Sequence, residues 1–197
     1  MIIKRLVTVG AALAMSAAIS VTVSPPAATA APVWKIQKAN PGMSKAMLDS
    51  LPDVVKNSSV TIDSSYEIGT PIVDLKGKPL PGQSKERMAA AASSCPPSGT
   101  VFGPPGGSWG ATSDSGCGVF GRSGFTQGYV WNIPAQNYTK GCVQGRGFNS
   151  SKTRTWYAVG CGENGGNNVP WGNVLATPAT RASSLAGAAG FTAYWRG

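Results

Sequence analysis

The sequence TQGYVWNI at residues 126–133 spaces its large side chains with a period of two. Tyr129 and Trp131 share one face of this stretch, and Val130 lies on the other. Such a period in aromatic and β-branched residues predicts a β-strand. The sequence TRTWYAV at residues 153–159 repeats the pattern. These two stretches indicate a protein built on β-sheet.

Shorter stretches of the same kind lie on either side of these two strands. Candidates are residues 99–102, 117–120, 173–176 and 191–195. Between them lie segments rich in Gly, Pro and Asn, which are typical of turns, and only residues 182–189 allow a turn of helix. The 26 Gly and 15 Pro in 197 residues disfavour a helical bundle or coiled coil. The predicted fold class for residues 95–197 is all-β, a small disulfide-stapled sandwich or barrel.

The chain has four cysteines, and all of them follow residue 94. Three pairings are possible, and we favour Cys95–Cys117 with Cys142–Cys161, because these pairs close two loops of similar size between neighbouring strands. In the chain-entropy account each such loop stabilises the fold by about 3 kcal/mol. A four-cysteine zinc site is the alternative, but the sequence lacks the C-x-x-C spacing that such sites use. No metal and no cofactor are therefore expected.

Residues 1–30 have the pattern of a secretory signal peptide. Lys4 and Arg5 precede an apolar run at residues 6–23, and small residues follow at residues 28–30. Polar residues interrupt the apolar run, so a permanent membrane span is the weaker interpretation. The protein is therefore predicted to be secreted and extracellular, with no membrane span once the signal is removed. Disulfides are expected in that oxidising environment.

Residues 31–94 are predicted to form a mostly irregular N-terminal extension that contains one short helix, at residues 44–51. Short strands are candidates at residues 60–63 and 72–75. Large apolar residues are too few for an independent core. The end of this segment is polar and broken by Pro and Gly, which indicates a linker. The segment is thus an extension, a linker or a pro-segment cut near residues 85–87, ahead of a Cys/Gly/Trp-rich β domain at residues 95–197.

The titratable side chains restrict catalysis severely. The chain has no His, which excludes Ser-His-Asp and Cys-His catalysis and His-ligated zinc. Asp114 and Glu163 are the only carboxylate side chains after residue 94. They are weak candidates for the two carboxylates of a glycosidase. The alternative is that Asp114 is a turn residue and Glu163 a loop charge or an arginine partner, so the enzyme question stays open and leans towards no enzyme.

Residues 160–172, predicted to be a loop, have the composition of a shallow binding site, because amides and a carboxylate lie beside a flat ring. The candidate ligand-binding residues are Trp109, Glu163, Asn167, Asn168 and Trp171. Glycines before residue 169 would allow a partner to approach the backbone. The alternative is that Trp171 folds back and caps the core. Trp131 and Trp156 lie on predicted strands and are assigned to the core.

The net charge of +9 indicates partners of acidic character. The aromatic and amide side chains suit glycan recognition, so the first hypothesis is a non-catalytic binding protein for cell-envelope or polysaccharide ligands. A secreted inhibitor or antimicrobial, toxin-like protein released from a pro-segment is the alternative, with a protein target, and a carboxylate glycosidase is the third hypothesis. The expected partner is an extracellular glycan or anionic envelope polymer, export speaks against nucleic acid, and a monomer is expected.

Overall fold

The computed structural model describes residues 33–135 and 139–197; the predicted signal peptide lies outside them. The helices are α1 (Lys35–Ala39), α2 (Lys45–Ser50), α3 (Asp53–Lys56) and α4 (Lys85–Ser94). The strands are β1 (Thr61–Ile62), β2 (Ile72–Val73), β3 (Ser98–Gly103), β4 (Ser113–Asp114), β5 (Gly118–Phe120), β6 (Thr126–Asn132), β7 (Gly141–Phe148), β8 (Arg154–Gly162), β9 (Asn164–Pro170), β10 (Val174–Ala176), β11 (Ala179–Ser184) and β12 (Phe191–Arg196). Within the described ranges no helix has the length and apolar character needed to cross a membrane.

The strands form three four-stranded sheets, and the predicted all-β fold class is confirmed. The strand orders are β1-β10-β5-β2, β4-β11-β7-β8 and β3-β12-β6-β9. The last two sheets pack face to face, since the inward side chains of both belong to one buried cluster. Tyr129 and Trp131 of β6 and Trp195 of β12 are its largest side chains, and rings of this size each bury on the order of 200 Å².

Strand β7 owes its glycines to the rings that pack on it. A Cβ at Gly145 would lie 2.7 Å from the Tyr129 ring, and one at Gly147 would lie 2.8 Å from the Tyr157 ring. Glycine is therefore required at these two positions, because a Cβ would collide with the rings and, at Gly147, also with the Pro170 carbonyl oxygen 2.5 Å away. The same glycines remove the hydrophobic alternation from the sequence, so β7 was not predicted.

The structure also differs from the expectation at β9 and β11. Residues 160–172 were predicted to be a loop, but they form the end of β8 and all of β9, which pairs with β6 along its whole length. Residues 182–189 were expected to allow a helical turn, yet residues 182–184 belong to β11 and pair with β7. In both segments the backbone hydrogen bonds come from pairing with distant strands, and the local sequence pattern does not predict this pairing.

The segment before Cys95 contains more regular structure than the one helix predicted. That helix is α2, and its Ser44 side chain accepts a hydrogen bond from the Met47 amide at 3.1 Å. The expected linker continues into α4, which contains a run of alanines, the best helix formers. The strands β1 and β2 lie parallel to β10 and β5. The buried residues of this segment also pack around Leu175 of β10.

Both disulfides join the pairs that the sequence favoured. Cys142 and Cys161 bridge β7 and β8 at directly opposed positions. Cys95 follows α4 and is bonded to Cys117, which precedes β5. The first bridge thus fastens two strands of one sheet, and the second fastens the end of the helical segment to the β1-β10-β5-β2 sheet.

Candidate functional site

An apolar stripe crosses the outward face of the β3-β12-β6-β9 sheet. Its members are Phe102, Tyr194 and Val130, one from each of three neighbouring strands. Phe102 of β3 pairs with Thr192 of β12, which precedes Tyr194 by two residues. Tyr194 pairs with Asn132 of β6, and Val130 precedes Asn132 by two residues. The three side chains therefore form a diagonal. Diagonal neighbours in a sheet are about 7–8 Å apart, so these side chains are in reach of one elongated ligand.

The stripe is open to solvent. Phe102 is 54% exposed, and Tyr194 and Val130 are each 55% exposed. The side chains between them along the strands, such as Val101 and Trp195, point inward and are buried. The sequence indicated this face only indirectly, through the period of two at residues 191–196 (FTAYWR), which places Tyr194 opposite to Trp195. The sequence analysis did not single out this face, because such alternation does not tell which exposed side chains of different strands lie together.

A groove of about 590 Å³ continues from the stripe across β6 and β9. We call it the glycine groove, and it is lined by Gly128, Gly166 and Gly197 together with Val130, Asn168 and Arg196. A Cβ at Gly166 would lie 3.0 Å from a methyl of Val130, and one at Gly128 would lie 2.9 Å from the amide oxygen of Asn168. Gly166 pairs with Val130 and Gly128 pairs with Asn168, so each of these two glycines lies opposite a larger side chain. The groove therefore exists because one residue of each pair has no side chain.

Two of the predicted binding residues lie at this groove. Asn167 and Asn168 both line it. The Asn167 amide donates to the carbonyl of Ala158 at 3.0 Å, which holds β9 against β8. Arg196 adds a cationic side chain at the edge of the groove and also lines a smaller hollow of about 130 Å³ beside Tyr194. Amide, guanidinium and aromatic groups are thus combined on one face.

Tyr129 makes the floor beneath this face rigid. Its hydroxyl donates to the carbonyl of Arg146 at 3.0 Å and accepts from the amide of Ala179 at 3.3 Å. These bonds tie β6 to the opposite sheet. Burial raises the pKa of the Tyr129 phenol well above its usual value, so this ring is a neutral structural group.

Trp171 is not a surface residue, and its assignment to the binding site is wrong. The side chain is only 1% exposed, and its indole nitrogen donates to the carbonyl of Val174 at 3.0 Å. The ring meets Phe148 edge-on at a centroid distance of 5.1 Å. Gly172 adopts a positive φ of 69°, and this turn sends the chain from β9 into β10 while the indole stays inside. The alternative that this ring caps the core is therefore correct.

The structure does not bring Trp109 and Glu163 to the glycine groove. Trp109 is 39% exposed, as expected for a loop residue, but it stacks on Arg181 of the β4-β11-β7-β8 sheet. Glu163 is exposed between β8 and β9, and its carbonyl accepts from the amide of Ile133 at 2.7 Å. Of the two rings assigned to the core, Trp131 is buried, whereas Trp156 is partly exposed.

Asp114 and Glu163 lie at opposite ends of one sheet. Asp114 pairs with Ala179, the first residue of β11, whereas Glu163 follows β8 at the level of Ser184, the last residue of β11. These two levels are separated by the length of β11, which is about 16 Å at the rise per residue of an extended strand. The two carboxylates of a glycosidase are about 5–9.5 Å apart. Asp114 instead forms an ion pair with Arg146 at 2.8 Å.

The chain matches no protein-family model, no curated protein and no solved structure. Its function is therefore inferred from the exposed stripe, the glycine groove and the charged groups themselves.

Proposed function

We propose that this chain is a secreted, non-catalytic binding protein for cell-envelope or other extracellular polysaccharide. The sugar chain would lie on the apolar stripe and in the glycine groove. The observation that carries the proposal is the diagonal of Phe102, Tyr194 and Val130, each more than half exposed, which ends at a groove lined with amides. Large exposed apolar patches that are rimmed by polar residues mark interaction sites on protein surfaces.

The chemistry of this face suits a sugar chain. The flat ring of Tyr194 and the ring of Phe102 offer apolar surfaces to the carbon-bound hydrogens of a pyranose. Asn168 and Arg196 supply polar groups for hydroxyls, and the glycines allow the ligand to approach the backbone. Three diagonal steps from Phe102 to Asn168 span about 20 Å, which favours an extended polymer over a small molecule.

The alternative hypotheses receive less support. Activation by loss of a pro-segment would remove β1 and β2, which flank β10 and β5 on both sides. A glycosidase using Asp114 and Glu163 would need carboxylates that the register keeps apart. Secretion rests on the signal-like sequence at residues 1–30 and agrees with two disulfides.

The test is retention of Tyr194→Ala on insoluble peptidoglycan, chitin and cellulose at low salt. An exposed aromatic stacking partner is worth about 0.5–1.5 kcal/mol, so affinity for the bound polymer should fall up to about tenfold. The matched control is Ile68→Ala, since Ile68 is 51% exposed in the N-terminal segment. That variant should bind as the unmodified protein does. The proposal is wrong if none of the three solids retains the protein, or if both variants lose affinity equally.

A further inference from the structure

The outward face of the β4-β11-β7-β8 sheet carries a second cluster of rings and charges. The guanidinium carbon of Arg181 lies 4.9 Å from the ring centre of Trp109 and 4.9 Å from that of Trp156. Arg146 lies 5.8 Å from the same Trp156 ring. We call Arg181, Trp109, Trp156 and Gln144 the stacked-arginine cluster. Three different segments of the chain meet in it: the loop before β4, the strand pair β7 and β8, and β11.

Arg181 is held in one orientation. It lies directly opposite Gln144 on β7, and its Nε donates to the Gln144 side-chain oxygen at 2.8 Å. The two tryptophan rings restrict the guanidinium further through cation–π contact. A long side chain that is fixed before binding loses less conformational entropy when it binds.

Arg181 differs from the neighbouring arginines in having no acidic partner. Arg146 forms an ion pair with Asp114 at 2.8 Å, and Arg154 forms one with Asp63 at 2.6 Å. The hydrogen bond to Gln144 uses only Nε of Arg181. Within residues 33–135 and 139–197, no ion pair includes Arg181. Partial burial lowers the pKa of Arg181, but a guanidinium stays charged at neutral pH. The charge is thus fixed, partly dehydrated and not neutralised.

We propose that the stacked-arginine cluster is a second binding site, which receives a phosphate or carboxylate group of an anionic envelope polysaccharide on Arg181. The terminal nitrogens of a guanidinium form a planar fork that matches two oxygens of an oxyanion. The site lies on the other face of the sandwich from the glycine groove. This inference rests on the proposed function in one respect only, namely that the anionic group belongs to an envelope polymer.

The experiment titrates the protein with two soluble polyanions, poly(glycerol phosphate) and polygalacturonate, and uses neutral dextran as the blank. Tryptophan fluorescence is the readout, since Trp109 and Trp156 touch the proposed binding residue. We expect a saturable fluorescence change with at least one polyanion. The stronger response identifies phosphate or carboxylate as the preferred group.

Two substitutions of Arg181 separate recognition from bulk charge. Arg181→Gln should weaken the polyanion affinity about tenfold, because a hydrogen bond to a charged group is lost. Arg181→Lys keeps the charge but loses the planar fork, so it should also bind more weakly than the unmodified protein. If Arg181→Gln does not fold, Arg181→Lys and Gln144→Ala take its place. Gln144→Ala removes the hydrogen bond that orients the guanidinium, so it should also weaken polyanion binding.

The control is Arg122→Gln. Arg122 is exposed in the turn after β5, so its replacement removes the same charge elsewhere. This variant should bind the polyanions as the unmodified protein does, whatever the result on insoluble polysaccharides. The inference is overturned if neither polyanion binds, if Arg122→Gln weakens binding as much as Arg181→Gln, if Arg181→Lys binds normally, or if the Arg181 variants lower thermal stability without changing affinity.

Discussion

The contacts of Trp171 are those of a structural residue. Its indole is buried, packs against Phe148 and is hydrogen-bonded to Val174. The composition around Trp171, with asparagines and glycines before it, is the same for an exposed or a buried ring. The distinction depends on the tertiary path of the chain around the ring, which the residue types alone do not specify.

Replacing Trp171 with Ala should lower the free energy of unfolding by about 3–5 kcal/mol, the usual cost of emptying a buried aromatic site. Urea denaturation measures this loss. Trp109→Ala is the control, and it should cost much less because Trp109 is 39% exposed. Retention of folded Trp171→Ala on polysaccharide should not change. Weaker retention with unchanged stability would return Trp171 to the binding site.

An ion pair joins the N-terminal segment to the sandwich at the level of elements. Asp63 follows β1, and its carboxylate accepts from Arg154, the first residue of β8, at 2.6 Å, and from the Ser65 amide at 2.9 Å. Burial alone would raise the pKa of Asp63, but the hydrogen bonds from Arg154 and Ser65 outweigh it and hold the pKa below its usual value.

This contact should make stability depend on acid pH. Since the pKa of Asp63 is lower in the folded state, its contribution is complete above about pH 4, the unfolded value, and is lost as pH falls through the folded pKa. Asp63→Asn should therefore lower the melting temperature near pH 7 and flatten its decline between pH 5 and pH 2. The effect should be at most about 1 kcal/mol, because the Arg154 side chain is 36% exposed. The prediction is contradicted if the melting temperatures of Asp63→Asn and of the unmodified protein decline in parallel as the pH falls. The control is Asp49→Asn on α2.

The sequence predicted the elements in which large apolar side chains that become buried alternate with exposed residues. Strand β6 was predicted almost to its ends because Tyr129 and Trp131 alternate with exposed residues. Strands β7 and β9 were missed because glycines there accept rings or leave a groove, and a glycine carries no sign of which face it is on. The candidate site was predicted in part for the same reason: Asn167 and Asn168 were found by composition, but the strand that carries them was not, nor was the diagonal with Tyr194.

At the scale of the whole molecule, the N-terminal segment is held by more than covalent linkage. Its strands pair with β5 and β10, and its buried residues pack around Leu175. Within the segment, the side chain of Arg87 donates to the carbonyl of Ser50 at 2.9 Å, so this bond joins the two sides of a cut after Lys85. A cut at the exposed Lys85 would leave all of the strand pairs in place.

Limited trypsin cleavage within α4 should therefore nick the chain without releasing the fragment that ends there. We expect the nicked protein to elute as one species from a sizing column and to separate only in denaturant. Elution of the fragment on its own under native conditions would contradict this expectation. It would favour the inhibitor or toxin-like alternative, in which a pro-segment leaves.

The strand order β1-β10-β5-β2 also determines when the molecule can complete itself during synthesis. The side chain of Asn173 donates to the carbonyl of Ser59, 114 positions earlier in the chain. Strand β1 is therefore synthesised long before β10, its partner in the sheet. Closing such distant contacts slows folding, so we expect this sheet to form only after residues 174–176 have been made, and late in the folding of the protein.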